Sequence, residues 1–230
     1  MKLTGNTVLI TGGASGIGFG LAEALLARKN KVIICGRRID RLREAQAKLP
    51  GLHTRVCDVT DGDARRELAV WATDSFPDLN VLINNAGIQR NIDLKAGSDE
   101  ISDGESEIAV NLEAPIMLTA LLVPHLLRRK EAAIINVSSG LIYQPAAGLP
   151  IYCATKAALH VYTHLLRRQL ANTGIRVYEA VPPMVDTELN KAGRDKQGKA
   201  YRGIKTEDYI PTFIAGLAGD EYEIRYQQGQ

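Results

Sequence analysis

Short apolar runs rich in β-branched residues alternate with longer amphipathic runs along the whole chain. Thr7-Val8-Leu9-Ile10, Lys31 to Cys35, His53 to Cys57, Asn80 to Ile83, Ala132 to Val137 and Ile175 to Val181 read as strands, and Tyr222 to Tyr226 as a seventh. Between them the apolar positions move to helical spacing. The pattern predicts helices over 21–26, 40–49, 61–71, 106–129, 153–172 and 206–218, the fourth bent at Pro115 or Pro124. In the fifth, Leu159, Tyr162, Leu165, Leu166 and Leu170 recur along the chain at helical spacing. Strands this uniformly apolar, separated by helices, predict a parallel sheet covered on both faces. Right-handed crossovers then give an α/β fold of Rossmann type, a doubly wound parallel sheet of about seven strands in one domain spanning 1–230.

Composition adds bounds. With 230 residues, 45% of them apolar and 23% charged, the chain can bury a core without disulfides or metals. A net charge of +2, spread along the chain, argues against nucleic acid as a partner. No apolar stretch is expected to reach the roughly 18 residues of a membrane span. Cys35, Cys57 and Cys153 form no CxxC pair, and the first five residues lead straight into a strand without a signal-peptide pattern. Both features favour a reducing cytoplasm, with Cys35 and Cys57 as buried, inert thiols. His160 and His164 share a helix face, but no Glu-x-x or Cys context accompanies them, so the reading is a structural pair and no metal. The polar stretch from Asn190 to Lys205 reads as part of a mobile substrate loop, 187–205, beyond a strand end where open α/β sheets bind ligands.

Candidate chemistry begins at Thr11-Gly12-Gly13-Ala14-Ser15-Gly16-Ile17-Gly18, between the first strand and the first helix. A glycine turn lets backbone N–H groups approach a pyrophosphate, and the helix N-terminus favours its charge. No Gly-Lys-Ser/Thr follows, so this is not a P-loop. Such turns also occur for structural reasons alone. The second strand ends Gly36-Arg37-Arg38, with no acid to accept from a ribose 2′-hydroxyl and two guanidinium groups that suit a 2′-phosphate. The alternative is a solvated charge pair. Tyr152-Cys153-Ala154-Thr155-Lys156 places a phenol and an ammonium one helical turn apart, where the cation would lower the phenol pKa. In isolation that spacing is commonplace.

TGxxxGxG from Thr11, Asn84-Asn85-Ala86-Gly87, and Ser139 standing 13 residues before the YxxxK pair together resemble the short-chain dehydrogenase/reductase family. The resemblance implies an enzyme acting on CH–OH/C=O groups, with NADP(H) preferred at Arg37 and NAD(H) left open. It implies catalytic Asn111, Ser139, Tyr152 and Lys156, with Ser138 the runner-up serine. Asn111 would bend its helix and hold a water linking Lys156 to solvent, or merely cap a helix break. It assigns to the cofactor Gly12, Ser15, Gly16, Ile17, Gly18, Arg37, Arg38, Asp58, Val59, Asn85, Ala86, Gly87, Tyr152, Lys156, Pro182, Val185 and Thr187. Asp58 would hold the adenine amino group or simply cap the next turn, and Asn85 would mainly tie strands together. Pro183 stands where the family has glycine in PGxVxT, and removes a backbone donor. The PP variant, with MKLTGNTVLITGG, LHTRVCDV, NVLINNAGIQ and NLEAP, looks like the DltE-like oxidoreductase subgroup. The chain stops soon after the seventh strand, where family members often continue a little.

Gln89, Leu141, Gln144 and Met184 are the substrate candidates, with Tyr143, Leu149 and Leu189 beside them. Their mix favours a neutral or moderately apolar carbonyl or alcohol, while Arg90 and Arg194 would admit an acid. The family resemblance also implies a homodimer or homotetramer through the two long helices. A catalytically silent NADP(H)-binding regulator or scaffold linked to bacterial cell-wall modification is the alternative. A silent regulator would normally lose Tyr152 or Lys156.

Overall fold

The structure is a computed structural model that describes residues 1–102, 104–189 and 203–226. Seven parallel strands form one sheet in the order β3-β2-β1-β4-β5-β6-β7. They are β1 (Thr7–Thr11), β2 (Lys31–Gly36), β3 (His53–Val56), β4 (Leu79–Asn84), β5 (Ala132–Val137), β6 (Ile175–Val181) and β7 (Glu223–Arg225). The order reverses between β1 and β4, the crevice where doubly wound sheets bind ligands.

Both strand faces are apolar because both are covered. In β1, Val8 and Ile10 join one core layer while Leu9 joins the other, and in β2 Val32 and Ile34 oppose Ile33 and Cys35. Helices α1 (Gly16–Leu26), α2 (Ile39–Lys48) and α7 (Thr206–Ala218) contribute Leu21, Leu42 and Phe213 to the first layer. Helices α3 (Gly62–Ser75), α5 (Ala114–Leu126) and α6 (Pro150–Gln169) contribute Leu68, Leu122 and Leu166 to the second. A single turn, α4 (Asp99–Ser102), precedes α5. Asp61 caps α3 by accepting from the N–H groups of Asp63 and Ala64.

The helix expected over 106–129 is in two parts. A π-helical turn, Ala109–Glu113, precedes α5, and the Ala114 N–H reaches back to the Ala109 carbonyl. Pro115 explains the break, because it has no N–H to offer the turn before it. The stretch Ala109–Leu126 has 18 residues and is apolar enough to cross a membrane, which corrects the expectation that none would be; half of it is buried inside the fold. Its Asn111, Thr119 and His125 are buried in the core, while Glu113 is exposed. Thr119 accepts from Asn84 Nδ2 (3.1 Å), which also donates to Asn136 Oδ1 (2.9 Å), and Asn136 donates to Thr163 on α6 (2.8 Å). This buried chain fixes α5 and α6 against β4 and β5. Helix α6 begins three residues earlier than its apolar spacing implied, with Pro150 in its first turn. Cys35 and Cys57, remote in sequence, lie near enough to affect each other's ionisation, while the Cys57 thiol donates to the Ala64 carbonyl (3.6 Å). The loop expected over 187–205 lies mostly outside the described residues; its two ends are tied where Asp186 N–H donates to the Ile204 carbonyl (2.7 Å).

Candidate active site

The carboxyl ends of β1, β2, β4, β5 and β6 open into one cleft of about 1210 Å³. That exceeds the usual volume of a small-ligand pocket and suits a dinucleotide with a substrate beside it. At its base the glycine turn runs from β1 into α1. Gly12 (φ +64°) and Gly16 (φ +53°) occupy left-handed backbone. A Cβ on Gly12 would stand 2.9 Å from Ala86 Cα. Thr11 holds the far wall, its hydroxyl accepting from the N–H groups of Asn85 and Ala86 (both 3.0 Å). Asn85 Nδ2 donates to the Thr11 carbonyl (3.0 Å) and the Gly12 carbonyl (3.2 Å), so this side chain ties β4 to the turn. Gly18 does not line the cleft; a Cβ there would lie 2.5 Å from Asn85 Nδ2 and from the Gly12 carbonyl oxygen, so it packs the helix onto the turn. Backbone bared in this way fits a pyrophosphate approaching a helix N-terminus.

At the end of β2, Gly36 is open: a Cβ there meets nothing within 4 Å. Arg37 pairs with both carboxylate oxygens of Glu105 and stands 3.9 Å from Asp58. Arg38 pairs with Glu188 (3.3 Å), which Arg41 also binds (2.7 Å). Asp58 Oδ1 accepts from the N–H (2.9 Å) and hydroxyl (2.7 Å) of Thr60. Burial alone would raise the Asp58 pKa, but these bonds, with Arg37 and Arg65, hold it below its ordinary value. Asp58 therefore closes a turn and still faces the cleft beside Val59.

Across the cleft, Ser139 follows β5 and both Tyr152 and Lys156 rise from α6. All three are buried and line the cavity. The Ser139 hydroxyl lies near the Tyr152 phenol, where it acts to lower the phenol pKa, and it accepts from Leu141 N–H (3.2 Å). Ser138 turns away and donates to the Ala180 carbonyl (3.3 Å). Lys156 Nζ lies 5.8 Å from the Tyr152 ring centre and donates to the Val137 carbonyl (2.8 Å). Burial pushes its pKa down to about 8, partly offset by the charge of Glu179. The phenol behaves differently from the sequence expectation. Burial raises its pKa to about 12 and outweighs the effect of Ser139, while the ammonium is engaged by Val137.

Asn111 lies in the π-helical turn, completely buried and outside the cleft lining. Its side chain clamps the chain after β4, accepting from Ile88 N–H and donating to the Ile88 carbonyl (both 2.8 Å), and also donates to Thr155 (3.3 Å). Gly87 fills the gap between the groups, since a Cβ there would stand 3.4 Å from Asn111 Oδ1 and 3.5 Å from Lys156 Nζ.

Ser15, Ile17, Pro182, Val185 and Thr187 line the cleft, as do Gln89, Leu141, Gln144, Leu149, Met184 and Leu189. Two of the residues suggested by the sequence do not serve as expected. Tyr143 points away, its hydroxyl donating to Glu223, because the 3₁₀ turn Gly140–Ile142 redirects the chain. Arg90 lines the cleft, but its guanidinium donates to the carbonyls of Glu100, Ile101 and Glu105. Arg194 lies outside the described residues. Sequence reasoning missed Thr11, Glu105, Arg41 and Glu188 as parts of the site. Thr11 was visible inside the glycine motif. Glu105 and Glu188 carry no local signal, being 68 and 150 residues from the arginines they meet.

With this geometry in place, the comparisons with known proteins are decisive. A short chain dehydrogenase family model matches residues 6–198. The chain belongs to the short-chain dehydrogenase family. It is 53% identical over 224 residues to the uncharacterized oxidoreductase DltE of Bacillus subtilis strain 168, covering 97% of this chain and 89% of that protein. Serine 3-dehydrogenase of Rhizobium radiobacter is 32% identical, with 95% of this chain and 90% of that protein covered. Among solved structures, the closed form of a serine dehydrogenase complexed with NADP+ superimposes with a TM-score of 0.82 at 27% identity, covering 92% and 88% of the two chains. The protein is thus an oxidoreductase of a family acting on CH–OH and C=O groups.

The buried lysine makes a stability test. Below about pH 8 the folded protein holds a buried charge, and between about 8 and the ordinary 10.5 the unfolded chain keeps a proton that the folded chain has released. Folding therefore gains from this group as pH rises through that window. Urea denaturation from pH 7.5 to 10 should show a steeper rise in stability for the wild type than for Lys156→Met; equal slopes would contradict the burial.

Proposed function

We propose that the protein is an NADP(H)-dependent oxidoreductase that moves a hydride between nicotinamide and a carbonyl or secondary alcohol, with Tyr152 as general acid/base. The observation that carries this reading is the convergence of buried Ser139, Tyr152 and Lys156 on one cleft, with the Lys156 ammonium 5.8 Å from the Tyr152 ring centre. A silent regulator or scaffold would have no use for a desolvated lysine at that point. When bound, the cofactor supplies or accepts the hydride.

The chain's own groups bind, orient and handle protons. Backbone of Gly12, Ser15, Gly16 and Ile17 holds the pyrophosphate, with Gly18 packing the helix behind it. Arg37 and Arg38 exchange their exposed carboxylate partners for a 2′-phosphate, a doubly charged group that suits the guanidinium fork. Val59 and Asp58 border the adenine, Ala86 and Gly87 the ribose side, and Pro182, Val185 and Thr187 the carboxamide. The bound NADP+ of the serine dehydrogenase neighbour supports the same preference here, with NAD(H) as the second cofactor. Ser139 hydrogen-bonds the substrate oxygen, and Tyr152, protonated at neutral pH, donates its proton there. Lys156, with a pKa near neutrality, restores that proton along the Asn111 side. Gln89, Gln144, Leu141 and Met184 offer two amides and apolar surface, and Arg90 is engaged by backbone, so the substrate proposed is neutral.

Self-association is part of the proposal. Met117 and Leu121 on α5, and Val161 and Leu165 on α6, are exposed on helices that cover the same sheet face. Such a stripe suits a second copy. The free cysteines support a cytoplasmic location.

Tyr152→Phe should lose about a thousandfold or more in kcat while NADPH fluorescence titration stays near wild type; retained turnover would remove the mechanism. Arg37→Asp should lower the ratio of kcat/KM with NADPH over NADH by about tenfold or more, and an unchanged ratio would overturn the 2′-phosphate assignment. Paired Leu121→Glu and Leu165→Glu should shift light-scattering mass toward the monomer without loss of helical circular dichroism.

A further inference from the structure

We propose that His160, His164, Glu179 and Glu223 form a binding site for one divalent transition-metal ion of the zinc type, joining helix α6 to strands β6 and β7. The sequence argued against a metal because the two histidines have no ligand-spaced neighbour. The fold supplies the missing ligands from two strands. The donor atoms of the four residues all lie within 4.8 Å of one another.

Glu179 is completely buried in the sheet. One of its oxygens meets His160 Nδ1 at 2.8 Å, and the other, Oε1, has no hydrogen-bond partner. A buried carboxylate oxygen left unmatched is costly, and such groups call for an explanation. His164 Nε2 stands 3.9 Å from Glu179 Oε2 and 3.9 Å from Glu223 Oε2. That is too long for a hydrogen bond. It is close to what an ion between them would need: bonds of about 2.0–2.2 Å in a tetrahedral shell put ligand atoms about 3.3 Å apart. The two imidazole rings lie 4.4 Å apart and tilted by 59°. Closing the shell needs His164 and Glu223, both partly exposed, to move inward and the 2.8 Å contact of His160 with Glu179 to open.

The surroundings hold the ligands without competing for them. Tyr143 and Arg225 both bind Glu223 Oε1, which leaves Oε2 toward His164, the orienting arrangement that supports metal ligands. Arg167 is committed to the carbonyls of Val177 (2.8 Å) and Tyr222 (2.9 Å). Two carboxylates offset the ion's charge, and imidazole with carboxylate is a donor set that zinc accepts. Because β7 has only three residues, such an ion would fasten the sheet's last strand to the helix that bears Tyr152. The site is independent of the hydride-transfer reading.

The test uses untagged full-length protein stripped with a chelator. Equilibrium dialysis should give one Zn²⁺ per chain, Zn²⁺ should raise Tm by a few degrees, and Co²⁺ should develop the visible absorption of a four-coordinate nitrogen–oxygen site. Glu179 is left intact because its loss from the core could unfold the chain. His164→Ala and Glu223→Gln should each weaken Zn²⁺ binding by about tenfold or more, and His160→Ala with His164→Ala should abolish both the Tm shift and the cobalt spectrum. Equal binding by wild type and the double variant, or binding at millimolar concentration only (an adventitious ion only), would overturn the site.

Discussion

An ammonium group taken out of water costs several kcal/mol unless something inside the protein replaces the solvent. At Lys156 the replacements are the Val137 carbonyl and the field of Glu179, and they come from two neighbouring strands while the lysine comes from a helix. The centre of this molecule can therefore exist only if β5, β6 and α6 are packed in one register. The asparagine–threonine chain from Asn84 through Asn136 to Thr163 secures that register below the site. Above it, Ser139 and Tyr152 are brought together, because Ser139 sits two residues beyond Val137 and Tyr152 one turn before Lys156. Gly87 and Asn111 then close the last side, where a Cβ on Gly87 would touch both Asn111 Oδ1 and Lys156 Nζ.

The other half of the cleft works through weak partners. Arg37 and Arg38 make exposed ion pairs with Glu105 and Glu188. Pairs of that kind contribute about 0–1 kcal/mol, so they keep the guanidinium groups in place without holding them against a stronger anion. The glycine turn is different in kind. There the backbone itself is the binding surface, and Ala86 and Asn85 crowd it so closely that a methyl group would be the intruder. One wall is thus rigid and the other exchangeable, which matches a pyrophosphate common to both nicotinamide cofactors and a 2′-phosphate present in only one.

Glu179 belongs to two environments at once. It lies in the strand that neighbours the lysine, and it closes the group of histidines on the outer side of α6. A single buried carboxylate thereby couples the interior of the site to the edge of the sheet, where β7 is short and depends on neighbours for its place.

Much of this was legible in the chain itself. The strands appeared within a residue or two of their observed ends, because burial on both faces of the central ones leaves short continuous runs of β-branched residues. The glycine turn was legible from its local spacing, whereas Ser139 and the Tyr152–Lys156 pair stood out only through the family resemblance, since a phenol and an ammonium one helical turn apart are commonplace. The break at the π-helical turn was legible only as a bend at Pro115 or Pro124 and as the bend the family resemblance implied at Asn111, since the hydrogen bond that shifts cannot be read from one residue; Pro124 lies inside α5. Glu105 meeting Arg37, Cys35 lying near Cys57, the direction of the Tyr152 pKa and the gathering of Glu179 and Glu223 around two histidines were not legible. Each depends on which groups the sheet order sets side by side and on how much water that packing removes. Local spacing determined the elements and the glycine turn, and the tertiary structure decided the partners and the charge of the candidate groups, because contacts across strands and the loss of solvent exist only once the sheet has formed.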